Sequence, residues 1–186
     1  MADDTTGQPA GNRRIDRVLS AGYLKGLSAR TLEEVRAMRA DAEQEEVDLS
    51  YLRRLLQGRV DILRAELARR AGTSTSSLVE DLPKILADDG RGGARGMGRH
   101  AALEPSRADA HRRYVEALVA DVELSDVAAL PVEELERALG LFEREERDVS
   151  DQRRRVQQVM DACTAEIARR YRDGEADVSQ LLRERS

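Results

Sequence analysis

Five polar residues recur in one order and spacing: Glu46, Ser50, Arg53, Gln57 and Asp61, then Glu146, Ser150, Arg153, Gln157 and Asp161. Arg can pair in a fork with a phosphate or with guanine O6 and N7, and its plane can stack on a base. A carboxylate can accept from the two N–H donors on the Watson–Crick edge of guanine. Ser and Gln can fill phosphate or sugar contacts. Each copy therefore carries a phosphate reader and a guanine reader. The chemistry reaches a two-fold, anionic, base-containing ligand and stops short of a unique molecule.

The repeat is wider than the motif. A shift of 100 residues also superposes Glu33 on Glu133, Glu45 on Glu145, Asp48 on Asp148, Arg54 on Arg154, Glu66 on Glu166, Arg69 on Arg169 and Arg70 on Arg170. The shared residues are mainly polar, whereas the apolar residues between them differ. A purely structural duplication would keep the apolar positions at least as well, so this inversion points to function.

Helical geometry places the motif on one face. At about 100° per residue, Glu46, Ser50, Arg53, Gln57 and Asp61 fall near 0°, 40°, −20°, 20° and 60°. On the same scale, Leu49, Leu52, Leu56 and Leu63 fall between about −60° and −120°. The polar stripe thus flanks the apolar seam. In heptad terms, with Leu49 at a, Glu46 and Arg53 lie at e and Ser50 and Gln57 at b. Antiparallel pairing sets e beside e and lets both stripes share one groove. It brings Thr31 near Ile167 to Tyr171, and Gly72 near Pro131. Arg54 and Arg154 fall at the edge of that groove, as secondary contacts or as solvated charges. A solvated face with i, i+3 and i, i+4 salt links is the competing explanation. Repeated, uncharged Ser and Gln fit it poorly.

The elements that position these stripes are two long helices, at about 31–71 and 131–173. The first opens on a capping box of Thr31 and Glu34. Its seam is Val35, Met38, Ala42, Leu49, Leu52, Leu56 and Leu63, with Glu45 in a place that calls for an apolar residue. Gly58 lies mid-helix off the motif stripe, where close approach of a partner helix or simple tolerance would explain it. The second helix opens at Pro131. Its stripe is Leu135, Leu139, Phe142, Val149, Val156, Met160, Cys163 and Ile167. Gly72 and Gly174 end the two helices.

Around them, residues 1–27 read as a disordered tail to about Gly11 and an amphipathic arm that packs on the body or on another protein. Residues 28–173 read as a single helical domain that includes the connector 73–130. The connector holds a short helix near 77–87, a Gly-rich mobile stretch from Asp89 to Gly98, and a helix capped by Ser106. Residues 174–186 read as a tail. The fold class is all-α, an antiparallel coiled coil with a short helical, partly mobile connector.

Bulk composition agrees. Charged residues make up 36% of the 186 residues and aromatics 3%, which suits long helices packed on narrow seams more than a thick core. The net charge of −5 argues against general attraction to nucleic acid or anionic membrane. The basic residues are Arg except for Lys25 and Lys84, a bias that GC-rich codons also favour. One cysteine, Cys163, excludes an internal disulfide and is read as seam packing. No signal peptide or membrane-spanning run stands out, which points to the cytoplasm. The stripe has no His, no Lys and no Asp-rich metal cluster, and an open groove excludes little water, so neither an enzyme such as a phosphodiesterase nor a metal site is expected.

At the two Glu-x3-Ser-x2-Arg-x3-Gln-x3-Asp motifs, and in the surrounding Ser50–Asp61 segment, the chain resembles the RsiG family of anti-sigma factors. The resemblance covers both long helices. It implies that all ten motif residues bind cyclic di-GMP, as a dimer held across the two helices. It implies that the loaded protein sequesters a sigma factor of the WhiG type from RNA polymerase and silences late sporulation genes. The partners expected are cyclic di-GMP and the sigma factor, with no direct DNA binding, no membrane, and a monomer when alone. The alternative is a coiled-coil adaptor indifferent to nucleotide.

Overall fold

A computed structural model of the chain describes residues 13–72, 104–121 and 127–174. It contains α1 (Arg14–Val18), a 3-10 turn (Leu27–Ala29), α2 (Leu32–Arg70), α3 (Ala108–Asp121) and α4 (Val132–Arg172). No strand occurs among the described residues. The tail before residue 13, the helix expected near 77–87, the Gly-rich stretch and the tail after residue 174 lie outside the described residues. The described residues fall into two compact units. Unit 1 takes Met1–Glu46 and Arg153–Ser186, and unit 2 takes Val47–Gln152.

In unit 1, α2 starts as the capping box requires. The Thr31 N–H donates to Glu34 Oε2 at 2.7 Å, and the Glu34 N–H donates to Thr31 Oγ1 at 3.2 Å. The first part of α2 runs antiparallel to the last part of α4. Arg36 Nη2 donates to the Tyr171 hydroxyl at 2.6 Å, and Arg39 Nε to Thr164 Oγ1 at 3.2 Å. Val35, Met38, Ala42, Val156, Val159 and Cys163 are buried between them.

The arm packs on this body. Val18 of α1 is fully buried. Arg14 Nε pairs with Glu45 Oε1 at 2.7 Å, Arg17 with Asp41 at 2.7 Å, and the Tyr23 hydroxyl donates to the Met38 carbonyl at 3.2 Å. Glu45, the acid in an apolar place, is thus fully buried because α1 brings it a guanidinium. Burial pushes the Tyr23 phenol up to about 12.

In unit 2, Leu49, Leu52, Leu56, Val60 and Leu63 of α2 are buried with Leu135, Ala138, Phe142 and Val149 of α4. The pairing is again antiparallel, since Arg53 meets Glu146 while Arg70 meets the Leu130 carbonyl. The stripe read for α4 holds at Leu135, Phe142, Val149, Val156 and Cys163. Ala138 and Val159 join it, while Leu139, Met160 and Ile167 are only half-buried. Ser106 stands just before α3, where the sequence places a cap. Its hydroxyl donates to Asp48 Oδ2 at 2.6 Å, and α3 begins two residues later. Asp48 is fully buried and also accepts the Arg107 N–H at 3.1 Å, which docks α3 on α2. The Tyr114 hydroxyl ties α3 to Glu145 at 2.6 Å, and burial raises it to about 12.

Each unit closes with the same clasp. In unit 2, Glu66 accepts from Arg69 at 2.8 and 2.7 Å and from Arg70 Nε at 2.6 Å. Arg70 then donates to the carbonyls of Val127, Ala128 and Leu130, just before α4. In unit 1, Glu166 accepts from Arg169 at 3.0 Å twice and from Arg170 Nε at 2.7 Å. Arg170 donates to the carbonyls of Leu27 and Ser28, just before α2. Hydrogen bonds from Arg69 hold the Glu66 carboxyl down to about 2, and those from Arg169 do the same for Glu166. Gly72 and Gly174 follow with φ of 69° and 74°, the left-handed stop that favours glycine. Gly58 does not mark a close approach. A Cβ there would meet nothing within 4 Å, so tolerance explains it.

Candidate functional site: two carboxylate-centred clusters

The Arg and Gln of each motif reach across to the other long helix. In unit 2, Arg53 and Gln57 of the first copy face Glu146 and Ser150 of the second. Arg53 Nε donates to Glu146 Oε1 at 2.8 Å and to Ser150 Oγ at 3.0 Å. Gln57 Nε2 donates to the same Oε1 at 3.2 Å, and Ser150 Oγ to it at 3.0 Å. One carboxylate oxygen thus gathers three donors.

Unit 1 builds the reciprocal cluster. Arg153 Nη1 donates to Glu46 Oε1 at 3.0 Å, and Gln157 Nε2 to the same oxygen at 3.2 Å. Arg153 Nε is buried and has no hydrogen-bond partner among the described residues. That guanidinium keeps one donor unsatisfied, a state a bound acceptor would relieve. Arg53 and Arg153 are about one-third exposed, and Glu46 and Glu146 about one-fifth. A partly exposed pair of this kind contributes on the order of 1 kcal/mol. The clusters orient their side chains without locking them.

The structure joins seven of the ten motif residues through these bonds: Arg53, Gln57, Glu146 and Ser150 in one cluster, Glu46, Arg153 and Gln157 in the other. Ser50 is half-buried on α2, one turn after Glu46. Asp61 is half-buried and Asp161 exposed, each one turn beyond its Gln. Arg54 and Arg154 are exposed. The apolar flank lies beside each cluster, with Leu52 and Leu56 buried in unit 2 and Val156 in unit 1. The local reason is the helical period: residues at i, i+3 and i+7 stay on one stripe while the leucines between them turn into the seam.

The clusters carry more than one kind of polar group. They offer guanidinium and amide donors for phosphate, carboxylates for base N–H groups, and apolar flanks beside them. Among the described residues, no group of His, Cys, Asp and Glu is arranged to hold a metal ion. No helix among them is long and apolar enough to cross a membrane.

Sequence reasoning missed the partners of Glu45, Asp48, Glu66 and Glu166. Glu45 carried a signal, as a charge in a seam position. The Glu66, Arg69, Arg70 triplet carried one too, as a repeat outside the motif.

A family model described as RsiG-like matches residues 21–86 and 121–185. The match spans both long helices with their motifs, and the chain belongs to the RsiG-like family. No curated protein matches the chain.

Proposed function

We propose that this protein is a cytoplasmic anti-sigma factor, and no enzyme, that binds cyclic di-GMP through the two motif copies. In this reading the ligand is a dimer of cyclic di-GMP. The loaded protein sequesters a WhiG-type sigma factor from RNA polymerase and represses the genes that factor serves. The observation that carries the proposal is the reciprocal pair of clusters, in which Arg and Gln of each copy meet Glu of the other. A salt-link scheme made only to stabilise each helix would pair residues three or four apart on the same helix. Here Arg and Gln reach across to the other long helix. The family assignment supports the same reading.

Isothermal calorimetry tests the ligand, with the sigma factor present if binding requires it. Wild-type protein is expected to bind cyclic di-GMP, and Arg53→Ala to bind at least tenfold more weakly, the loss of one charge-assisted contact. Unchanged binding by Arg53→Ala would refute the site. A pull-down of the sigma factor with and without cyclic di-GMP tests the switch. Equal capture in both arms would favour the nucleotide-independent adaptor.

A further inference from the structure

We infer that α3 is a pH-sensitive latch on the body of unit 2, docked while His111 is neutral and loosened when His111 takes up a proton. The joint between α3 and α2 carries this, whatever the motifs bind.

The sequence of α3 sets the joint. Arg107, just before the helix, and His111, Val115 and Leu118 within it recur at intervals of four, four and three, the spacing of one helix face. Exposure follows that spacing. Val115 is buried, and Arg107, His111 and Leu118 are partly buried, while Asp109, Arg113, Glu116 and Ala117 are exposed. His111 therefore sits on the face that meets the body, between a cation and an aliphatic side chain.

That cation helps to anchor α3. Arg107 donates its backbone N–H to Asp48 Oδ1 at 3.1 Å, and its Nε stands 3.5 Å from Asp48 Oδ2, which also accepts the Ser106 hydroxyl at 2.6 Å. Asp48 is fully buried, so its carboxylate needs these donors to stay in place. His111 Nε2 is buried in its turn and has no hydrogen-bond partner among the described residues. A neutral imidazole tolerates this, because Nε2 can be the ring nitrogen without a proton. An imidazolium does not, because both ring nitrogens then donate and Nε2–H becomes a buried, charged donor with no acceptor.

The surrounding charges agree. Burial holds His111 below its ordinary 6.5, the Arg107 guanidinium adds to that, and Asp48 of α2 opposes it. The other titratable groups at the joint are already tied to α3, Tyr51 of α2 by Arg112 and Glu145 of α4 by Tyr114. A histidine held below its free value leaves docking intact above about pH 6.5 and weakens it as the pH falls, by at most about tenfold per pH unit for one proton. Glu66 and Glu166 sit near 2 and do not titrate in this window.

Amide hydrogen exchange of the full chain tests the latch, at about pH 7.5 and 5.5 with intrinsic rates corrected. Peptides from α3 are compared with a reference peptide from the start of α2. Wild type should lose α3 protection severalfold at the lower pH while the reference holds. His111→Gln, neutral at both pH values, should keep α3 protected at both, and His100→Gln should respond as wild type does. Equal α3 protection in wild type at both pH values would overturn the latch, as would an unchanged pH response in His111→Gln. If His111→Gln frees α3 at both pH values, an NMR titration of His111 in the His100→Gln protein decides. A midpoint below 6.5 that tracks the α3 amides upholds the latch, and a midpoint at or above 6.5 overturns it.

Discussion

Replacing Glu66 with Ala removes the acceptor that Arg69 and Arg70 share at the C-terminal end of α2. Three guanidinium hydrogen bonds end on it, at 2.6, 2.7 and 2.8 Å. Hydrogen bonds to charged groups contribute roughly 1.5–3 kcal/mol each in favourable settings. Arg69 is half-exposed, so its share is screened and small. Arg70 is 19% exposed and also fastens the carbonyls of Val127, Ala128 and Leu130, so its loss of orientation matters more. Breaking a buried pair costs about 3–5 kcal/mol, and partial exposure brings the expectation for Glu66→Ala to about 2–3 kcal/mol. Urea unfolding followed by far-UV circular dichroism measures it, as a lower midpoint at unchanged slope. A double-mutant cycle with Arg70→Ala should give a coupling of about 1–2 kcal/mol. A Glu66→Ala midpoint within about 0.5 kcal/mol of wild type would refute the clasp as a structural element.

Three further outcomes follow from the same structure. Glu66 and Glu166 sit near 2 when folded, against an ordinary 4.5. Their stabilising effect is therefore complete above about pH 4.5 and lost as the pH falls toward 2, so the urea midpoint should drop across that window and drop less in the Glu66→Gln, Glu166→Gln variant. Gly58→Ala should stabilise the protein by about 1 kcal/mol, since the helix interior there has room for a Cβ, and a lowered melting temperature would contradict the open space. Cys163 is buried and its thiol is raised by that burial, so Ellman's reagent at pH 7 should react far more slowly with native than with urea-unfolded protein; equal rates would contradict its burial.

The seam was legible because apolar spacing reports helix faces directly: Val35, Met38, Leu49, Leu52, Leu56, Leu63, Leu135, Phe142 and Val156 are all buried as the period requires. The start of α2 was legible because Thr31 and Glu34 are a local signal, complete within four residues. The stops at Gly72 and Gly174 were legible for the same reason. The roles of Glu45 and Asp48 were not. Their partners, Arg14, Ser106 and Arg107, lie far along the chain, and periodicity says only that a charge occupies a place that should be apolar. The motif residues were found by their repetition. Their pairing across the helices needed coordinates, because a polar stripe on one helix is equally compatible with local salt links.

The repeat itself needs a narrower reading than its extent suggests. Identical polar residues beside divergent apolar ones looked like a functional signature throughout. The clasps show that part of that identity is structural. Glu66, Arg69 and Arg70 repeat as Glu166, Arg169 and Arg170 because each triplet performs the same docking of a loop before a long helix. Positions 45 and 145 likewise both receive a short preceding helix, through Arg14 in one unit and Tyr114 in the other. The contrast with the seam has a physical basis. A core tolerates exchange of aliphatic residues at similar volume, whereas a three-donor carboxylate tolerates little change in geometry. Directional contacts therefore survive duplication whether they serve folding or binding. The motif pairs differ from the clasps in reaching across to the other long helix, with their carboxylates about one-fifth exposed and Asp161 in solvent. The clasp carboxylates are largely buried and are tied to backbone carbonyls through Arg70 and Arg170. The proposed function therefore draws on the five-residue motif and its copy, and the repeated clasp triplets do not add to it.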